Sequence, residues 1–467
     1  MSEDAEGVTG EPAPLWAGRF STPPAPEAEA LGHSLAFDVR LAPHDVEASV
    51  AHVLALREAG LLTGDEATAL ERALREVGAE IAAGTFAFRP ADEDVHSAIE
   101  RGVTAKLGDL GARLHAGRSR NDLVITDLRL WMLAAHRRVE DGIVRLLRAL
   151  VAQAREHAET VMPGTTHGRL AQPVTLGHAL LAHGWALARD LDRLHGWRGR
   201  ASVSPLGAGA LATSTLGLDP NPVAAYLSFE DRFANSIDAV SDRDVVQELL
   251  ADAAICGTHL SRLAADVIHW SDETLGWALV DEAYSTGSSM MPQKRNPDVA
   301  ELTRAKAGRL LGDFTALTSV LNGLPLGYHR DLQEDKEPVF DAVDTLEATL
   351  AAIAGCVETL RFHPEAMRAA TLAEGLFATD LAEALVAAGV PFREAHRRVG
   401  ELLKRLEAEG RSLRSLTPQE WADEGLADGA SLLDPDRSVR ARAVPGGPSP
   451  ESVRAQADAL ERMMEAR

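Results

Sequence analysis

Three short segments of the sequence gather side chains able to bind an anion or move a proton. The first, His115 to Asp122, reads HAGRSRND, and its Ser119, Asn121 and Asp122 are good helix N-caps. Arg118 and Arg120 stand beside that helix start, where backbone N–H groups and the dipole favour negative charge and a guanidinium can hold a carboxylate bidentately. The second, Met162 to Pro173, puts Thr166, His167, Arg169 and Gln172 in a turn bracketed by Pro and Gly. Histidine is the side chain most readily tuned for proton transfer near neutral pH, although a lone turn histidine is more often structural. The third, Ser285 to Asp298, is aperiodic, with Gly287 as a hinge and Lys294 and Arg295 near its end. Asn296 reads as an N-cap, Pro297 as the first helical position and Asp298 as first-turn acid, with Glu301 one turn in. An ammonium, a guanidinium and a helix end side by side form an anion-stabilising device. The plainer alternative is a surface lid that ends in a cap.

Such segments need rigid elements to hold them, and the apolar spacing supplies helices. Helical periodicity predicts Val46 to Ala59, stopped by Gly60, and Asp65 to Ala83, stopped by Gly84. Longer helices are predicted over 122–158, 175–198, 241–275, 297–322 and 336–361. Lengths of 25–35 residues exceed the usual globular range and point to a long bundle. Period-2 alternation is almost absent and aromatics are 4% of the chain, so the expected class is all-α. The expected organisation is a mobile tail or arm over 1–30, an N-terminal helical domain over 31–118, a central bundle over 119–361 and a C-terminal helical domain over 362–467.

Composition excludes several functions. The 467 residues carry 70 acidic and 47 basic side chains, a formal charge of −23, which argues against an electrostatic grip on nucleic acid or a lipid surface. Two cysteines a hundred positions apart, Cys256 and Cys356, exclude a disulfide scaffold or a thiolate metal site and suit a reduced, cytoplasmic setting. No apolar run is long enough to span a membrane, and the acidic N-terminus is no secretory signal. Gly207 to Ala212 (GAGALA) fits a loose dinucleotide pattern, but Ser204-Pro205 rather than a strand precedes it, so no nucleotide is expected. His178 and His183 lie five apart, off one helical face, and no metal is expected either.

The third segment, GSSMMPQKRNP, resembles the signature of the fumarase/aspartase superfamily. Other blocks are similar to one branch, the argininosuccinate lyases: LWAGRF (15–20), FDVRL (37–41), EDVHSAIE (93–100), AGRSRND (116–122), THGRLAQPVT (166–175), NSIDAVSDRD (235–244), YHRDLQEDKE (328–337), ATDLAEALV (378–386) and PFREAH (391–396). They cover nearly the whole chain beyond the tail. The resemblance implies a mostly helical, three-domain subunit and a homotetramer whose active sites are shared between subunits. It also implies a β-elimination without cofactor, in which a proton leaves the carbon beside a carboxylate, an aci-carboxylate forms, the C–N bond breaks and fumarate departs.

By the same resemblance Ser288 is the base, and Lys294 and Asn296 hold the carboxylate on which charge accumulates. His167, oriented by Glu301, manages the proton for the leaving nitrogen. Ser119, Arg120, Asn121 and Thr166 would bind the succinyl carboxylates. Ser34, Tyr328, Gln333 and Lys336 would meet the amino-acid end of the substrate.

The sequence departs from the family pattern at Ala116 (usually Thr), Leu123 (Gln), Thr165 (Tyr), Gly168 (Leu), Arg169 (Gln), Leu170 (Arg), Ala208 (Ser), Asn322 (Lys) and His329 (Asn). Each flanks a retained chemical residue. Retention of Tyr328, Gln333 and Lys336 favours argininosuccinate as substrate. The alternatives are a paralogue that releases fumarate from another N-substituted succinate, and an inactive homologue that only assembles. The second is disfavoured because Ser288, Lys294, Asn296, His167 and Glu301 all stand.

Overall fold

The computed structural model of the chain describes residue 22 and residues 25–466; the LWAGRF block and most of the 1–30 tail lie outside them. The described chain is mostly helical, and the predicted helices form close to their expected bounds: Ala42–Glu58, Gly64–Ala82, Arg120–Glu156, Leu176–Ala201, Asp244–Trp270, Asp298–Leu321 and Lys336–Thr359. At about 1.5 Å rise per residue, the 37-residue Arg120–Glu156 helix is roughly 55 Å long. Local chemistry sets several starts. Thr63 and Glu66 close a capping box on Gly64–Ala82, and Asp94 and Ser97 do the same for Val95–Leu107.

The chain divides into two compact units. The first comprises residues 1–131, 203–241 and 326–336. Its interior includes a cluster of Ala48, Ala51, Ala55, Leu123, Leu206 and Val223, which explains why an apolar residue is tolerated at 123: the Leu123 side chain is core, not site. Ala208 packs with Ala239 and Val240 in a second small cluster, which suits the missing hydroxyl there.

The second unit comprises residues 132–202, 242–325 and 337–467. Asp244–Trp270 packs most extensively on Asp298–Leu321. The approach is close at Gly257, where an added Cβ would lie 2.7 Å from Leu310 Cδ1. Toward the C-terminus, Phe377, Leu381, Val399, Leu402, Leu406 and Trp421 share a core formed by the Ala378–Ala387 and Phe392–Ala408 helices and the short turns that follow.

One element differs from the sequence expectation. The segment carrying His167 is not an irregular turn but an antiparallel hairpin of Val161–Thr166 and Arg169–Thr175, with a register shift at Gly164/Thr165. Thr166 pairs with Arg169, leaving His167 and Gly168 as a two-residue loop with φ of 54° and 68°. Positive φ at both positions matches the twist of a tight hairpin, and Gly meets it without a Cβ penalty. Gly168 therefore serves the backbone. The three other sheets are two-residue pairs, too short to show as period-2 alternation.

Candidate active site

In the first unit, the Ser119 region is a reciprocal cap. Ser119 Oγ accepts the Asn121 N–H at 3.2 Å, and Asp122 Oδ1 accepts the Ser119 N–H at 3.1 Å, so the Arg120–Glu156 helix starts on a fully organised loop. Asn121 donates its amide to Ala210 O at 3.3 Å. Arg120 reaches two carboxylates, Glu93 at 3.2 Å and Asp94 at 3.0 Å.

Glu93 is the hub that sequence reading missed. Its carboxylate also takes Arg330 at 2.8 Å, and its carbonyl accepts the Ser34 N–H at 2.9 Å. Arg330 and Gln333 both donate to Gly32 O, at 2.5 and 3.4 Å. The unit thus links Ser34 and Arg120 to Glu93 and Gln333 to the Gly32 carbonyl that Arg330 also reaches, from segments far apart in the chain. The Ser34 hydroxyl donates to Asp38 Oδ2 at 2.6 Å, and Asp38 also accepts the Val95 N–H at 3.0 Å. Burial pushes the Asp38 carboxyl up against the pull of His96. Lys336 is buried with Asp335, its Nζ 2.8 Å from Oδ1, and Tyr328 is half-buried just ahead of the Arg330–Asp335 turn.

Below the loop lies a buried titratable cluster. His96 Nδ1 sits 2.5 Å from Asp45 Oδ2 and 3.3 Å from Asp127 Oδ2, and all three side chains are buried. Although burial opposes charge on His96, its bonds to Asp127 and Asp45 outweigh it and hold the imidazole well above its ordinary value. Burial, with the Asp45 charge alongside, raises Asp127 to about 8. Among the described residues this is the one group of His, Cys, Asp or Glu side chains close enough to consider for a metal ion. The geometry disfavours it: two ligands at about 2.1 Å from one ion stand roughly 3 Å apart or more, whereas His96 and Asp45 are at charged hydrogen-bond distance. The cluster shares protons. Next to it, His52 Nε2 donates to Ala116 O (3.0 Å), and burial, reinforced by Arg118, lowers its pKa to about 3, so it donates as a neutral imidazole.

In the second unit, Thr166 and His167 stand exposed at the hairpin tip. The Ser288 segment is also held as a hairpin: Thr286–Gly287 pairs with Arg295–Asn296, Thr286 opposite Asn296. The Ser288 hydroxyl accepts the N–H groups of Met290 and Met291 at 3.2 and 3.0 Å, and Met290 is 86% exposed, so the loop projects outward. Lys294 is exposed beyond it. Asn296 is not the N-cap that the sequence suggested. It lies in the strand pair, with its amide 3.5 Å from Thr286 Oγ1, and the helix begins at Asp298 behind Pro297, whose ring has no N–H to cap. The Thr286 hydroxyl is instead bonded to Asp298. Glu301 lies in the first turn of that helix and is exposed; none of the hydrogen bonds or ion pairs among the described residues joins it to His167.

The comparisons with known proteins fit this arrangement. A lyase family model matches residues 18–312, and a model of the argininosuccinate lyase C-terminal region matches residues 375–440. The argininosuccinate lyase of Frankia casuarinae is 50% identical over 459 residues, covering 97% of this chain and 98% of the relative. The chain belongs to the argininosuccinate lyase family. The family's enzyme from Mycobacteroides abscessus is 49% identical over 95% of the chain and 94% of its own length. Among solved structures, an EDDS lyase in complex with formate has a TM-score of 0.83 at 30% identity, covering 95% of this chain and 90% of that one. A class II fumarase from Schistosoma mansoni has a TM-score of 0.74 at 15% identity, covering 85% of this chain and 90% of that one, and extends the likeness to the fumarase fold. Membership of the family makes the chain a carbon–nitrogen lyase.

Proposed function

We propose that the chain splits L-argininosuccinate into L-arginine and fumarate by β-elimination. The observation that carries this reading is near-full-length identity of about half to argininosuccinate lyases, with Ser119, Arg120, Asn121, Thr166, His167, Ser288, Lys294 and Asn296 all in place in the sequence. The 30% identity to an EDDS lyase keeps a second amino-substituted succinate in the test panel, but the higher identity favours argininosuccinate.

In this reading, Ser288 takes the proton from the carbon beside the succinyl carboxylate when its outward loop closes and water is expelled. Lys294 and Asn296 stabilise the aci-carboxylate that results. The electron pair then forms the fumarate double bond as the C–N bond breaks, and His167, oriented by Glu301, supplies a proton to the departing guanidino nitrogen. Ser119, Arg120, Asn121 and Thr166 hold the succinyl carboxylates, while Ser34, Tyr328, Gln333 and Lys336 meet the amino-acid end. Arg120 acts through a guanidinium already shared with Glu93 and Asp94, so its charge reaches substrate partly neutralised. No cofactor enters any step.

The subunit acts as a homotetramer with shared sites and is organised as N-terminal (31–118), central (119–361) and C-terminal (362–467) domains. Support for assembly is that Asp298–Leu321 buries only Ala300, Thr303, Leu310 and Leu317 within the subunit, leaving Leu302 and Leu311 more than half exposed. The free, buried cysteines and the lack of any described helix long and apolar enough to cross a membrane suit work in the cytoplasm. The test is the rise of fumarate absorbance when pure protein meets argininosuccinate. Sustained turnover is expected; silence there, with turnover of another N-substituted succinate, would overturn the substrate.

A further inference from the structure

The GAGALA segment does bind an anion, but the anion is internal. Asp122 is fully buried, and its Oδ2 accepts the N–H groups of Gly207 at 3.0 Å and Gly209 at 2.8 Å, while Oδ1 accepts that of Ser119. Both glycines have positive φ, 105° and 62°, which turns their N–H groups inward; a Cβ on Gly209 would stand 2.8 Å from Thr213 O. One carboxylate therefore ties two loops together: the Ser119–Asn121 start of the Arg120–Glu156 helix, and the 207–210 segment whose Ala210 carbonyl receives the Asn121 amide.

Three converging backbone donors favour an ionised carboxylate, and although burial pushes Asp122 up to about 6 against them, it is ionised at pH 8. An amide in its place offers one acceptor oxygen and turns an N–H₂ toward a backbone N–H, donor against donor. Serine and asparagine bind a substrate carboxylate through short, directional bonds, so tenths of an ångström in loop position matter.

We propose that Asp122 is a positioning residue for the elimination: its carboxylate, held by Ser119, Gly207 and Gly209, sets the Ser119 hydroxyl and Asn121 amide that receive the succinyl carboxylates. This rests on the lyase reading above. Lost positioning weakens ground state and transition state together, so KM changes more than kcat.

The test compares wild type, Asp122→Asn and Asp122→Ala on argininosuccinate at pH 8, with backbone hydrogen exchange read on the same samples. D122N is expected to raise KM at least about tenfold with a smaller change in kcat, and to speed exchange at residues 119–121 and 207–210. Sodium formate, a carboxylate small enough for the vacated space, is expected to restore much of kcat/KM to D122A and nothing to wild type. Wild-type kcat/KM in D122N, or loss in D122A that formate leaves unchanged in a folded protein, would overturn the proposal. Silence of wild type would sink the lyase reading instead, and the exchange result would then decide the loop-holding role alone.

Discussion

His96 Nδ1 lies 2.5 Å from Asp45 Oδ2, and the second carboxylate facing that nitrogen, Asp127, is 3.3 Å away. A protonated imidazole facing two carboxyl groups, with Asp127 raised by burial, keeps the net charge of the cluster low, which is how three titratable groups can be buried together. The relay continues outward, because Asp45 also accepts the Ser49 hydroxyl at 3.1 Å, which in turn accepts Arg118 at 2.8 Å. Three helices and the loop before Ser119 are thereby tied to one proton inventory.

That arrangement sets the alkaline limit of stability. His96 has a folded pKa above its unfolded value, so its contribution is complete below about pH 6.5 and is lost as pH rises through the folded value. Asp127, raised to about 8, works in the same direction: the fold prefers it protonated, and stability declines as pH climbs from about 4 to 8. Thermal unfolding from pH 6 to 9 is expected to show a falling midpoint, flattened in Asp127→Asn, whose amide stands in for the neutral acid. His96→Asn should lose about 3–5 kcal/mol at pH 7 by leaving the buried acidic pair without its cationic partner. A pH slope identical in wild type and D127N would refute the protonated Asp127.

On the acid side the sensor is His52. Its folded pKa of about 3 lies below the unfolded value, so the unfolded chain binds the extra proton and stability falls as pH drops from about 6.5 toward 3. His52→Gln keeps a donor for Ala116 O without the titration. Its unfolding midpoint should depend less on pH between 6 and 4 than that of wild type, and an unaltered acid dependence would remove His52 from the account.

Gly168 should not tolerate a leucine unless the hairpin changes register. At φ of 68° a side chain costs about 1–2 kcal/mol. Gly168→Leu is expected to lower kcat, because it displaces His167, with a small loss of melting temperature. Full activity would mean that the loop at 167–168 is free to adopt another turn.

Assembly is open to a surface test. Leu302→Glu combined with Leu311→Glu places charge on the exposed apolar face of the Asp298–Leu321 helix. Light scattering should report a species smaller than a tetramer with parallel loss of activity and retained helicity. An intact tetramer would move the interface elsewhere.

The helices were legible because their signals are local: the stops at Gly60 and Gly84, and apolar spacing along the Arg120–Glu156 stretch. The chemical segments were legible by residue type. What was hidden was partnership across distance. Glu93 meets Arg120 and Arg330 from positions 27 and 237 residues away, and Asp122 meets Gly207 from 85 away, with no local pattern to announce either. Asn296 followed by Pro reads as a cap, yet pairing with Thr286 captures it in a strand, a tertiary preference overriding a local one. The hairpin at His167 escaped for a related reason: its His-Gly loop is an uncommon version of the Asn-Gly turn that announces a hairpin.

The central claim is that the Ser288 oxygen takes the proton. Its most direct test is single-turnover formation of fumarate from argininosuccinate by wild type and by Ser288→Ala of equal oligomeric mass. Loss of a positioned base predicts a fall of about 10²–10⁴-fold or more in the chemical step, with substrate still bound. A Ser288→Ala rate within a few-fold of wild type would assign the base to another residue and contradict the mechanism.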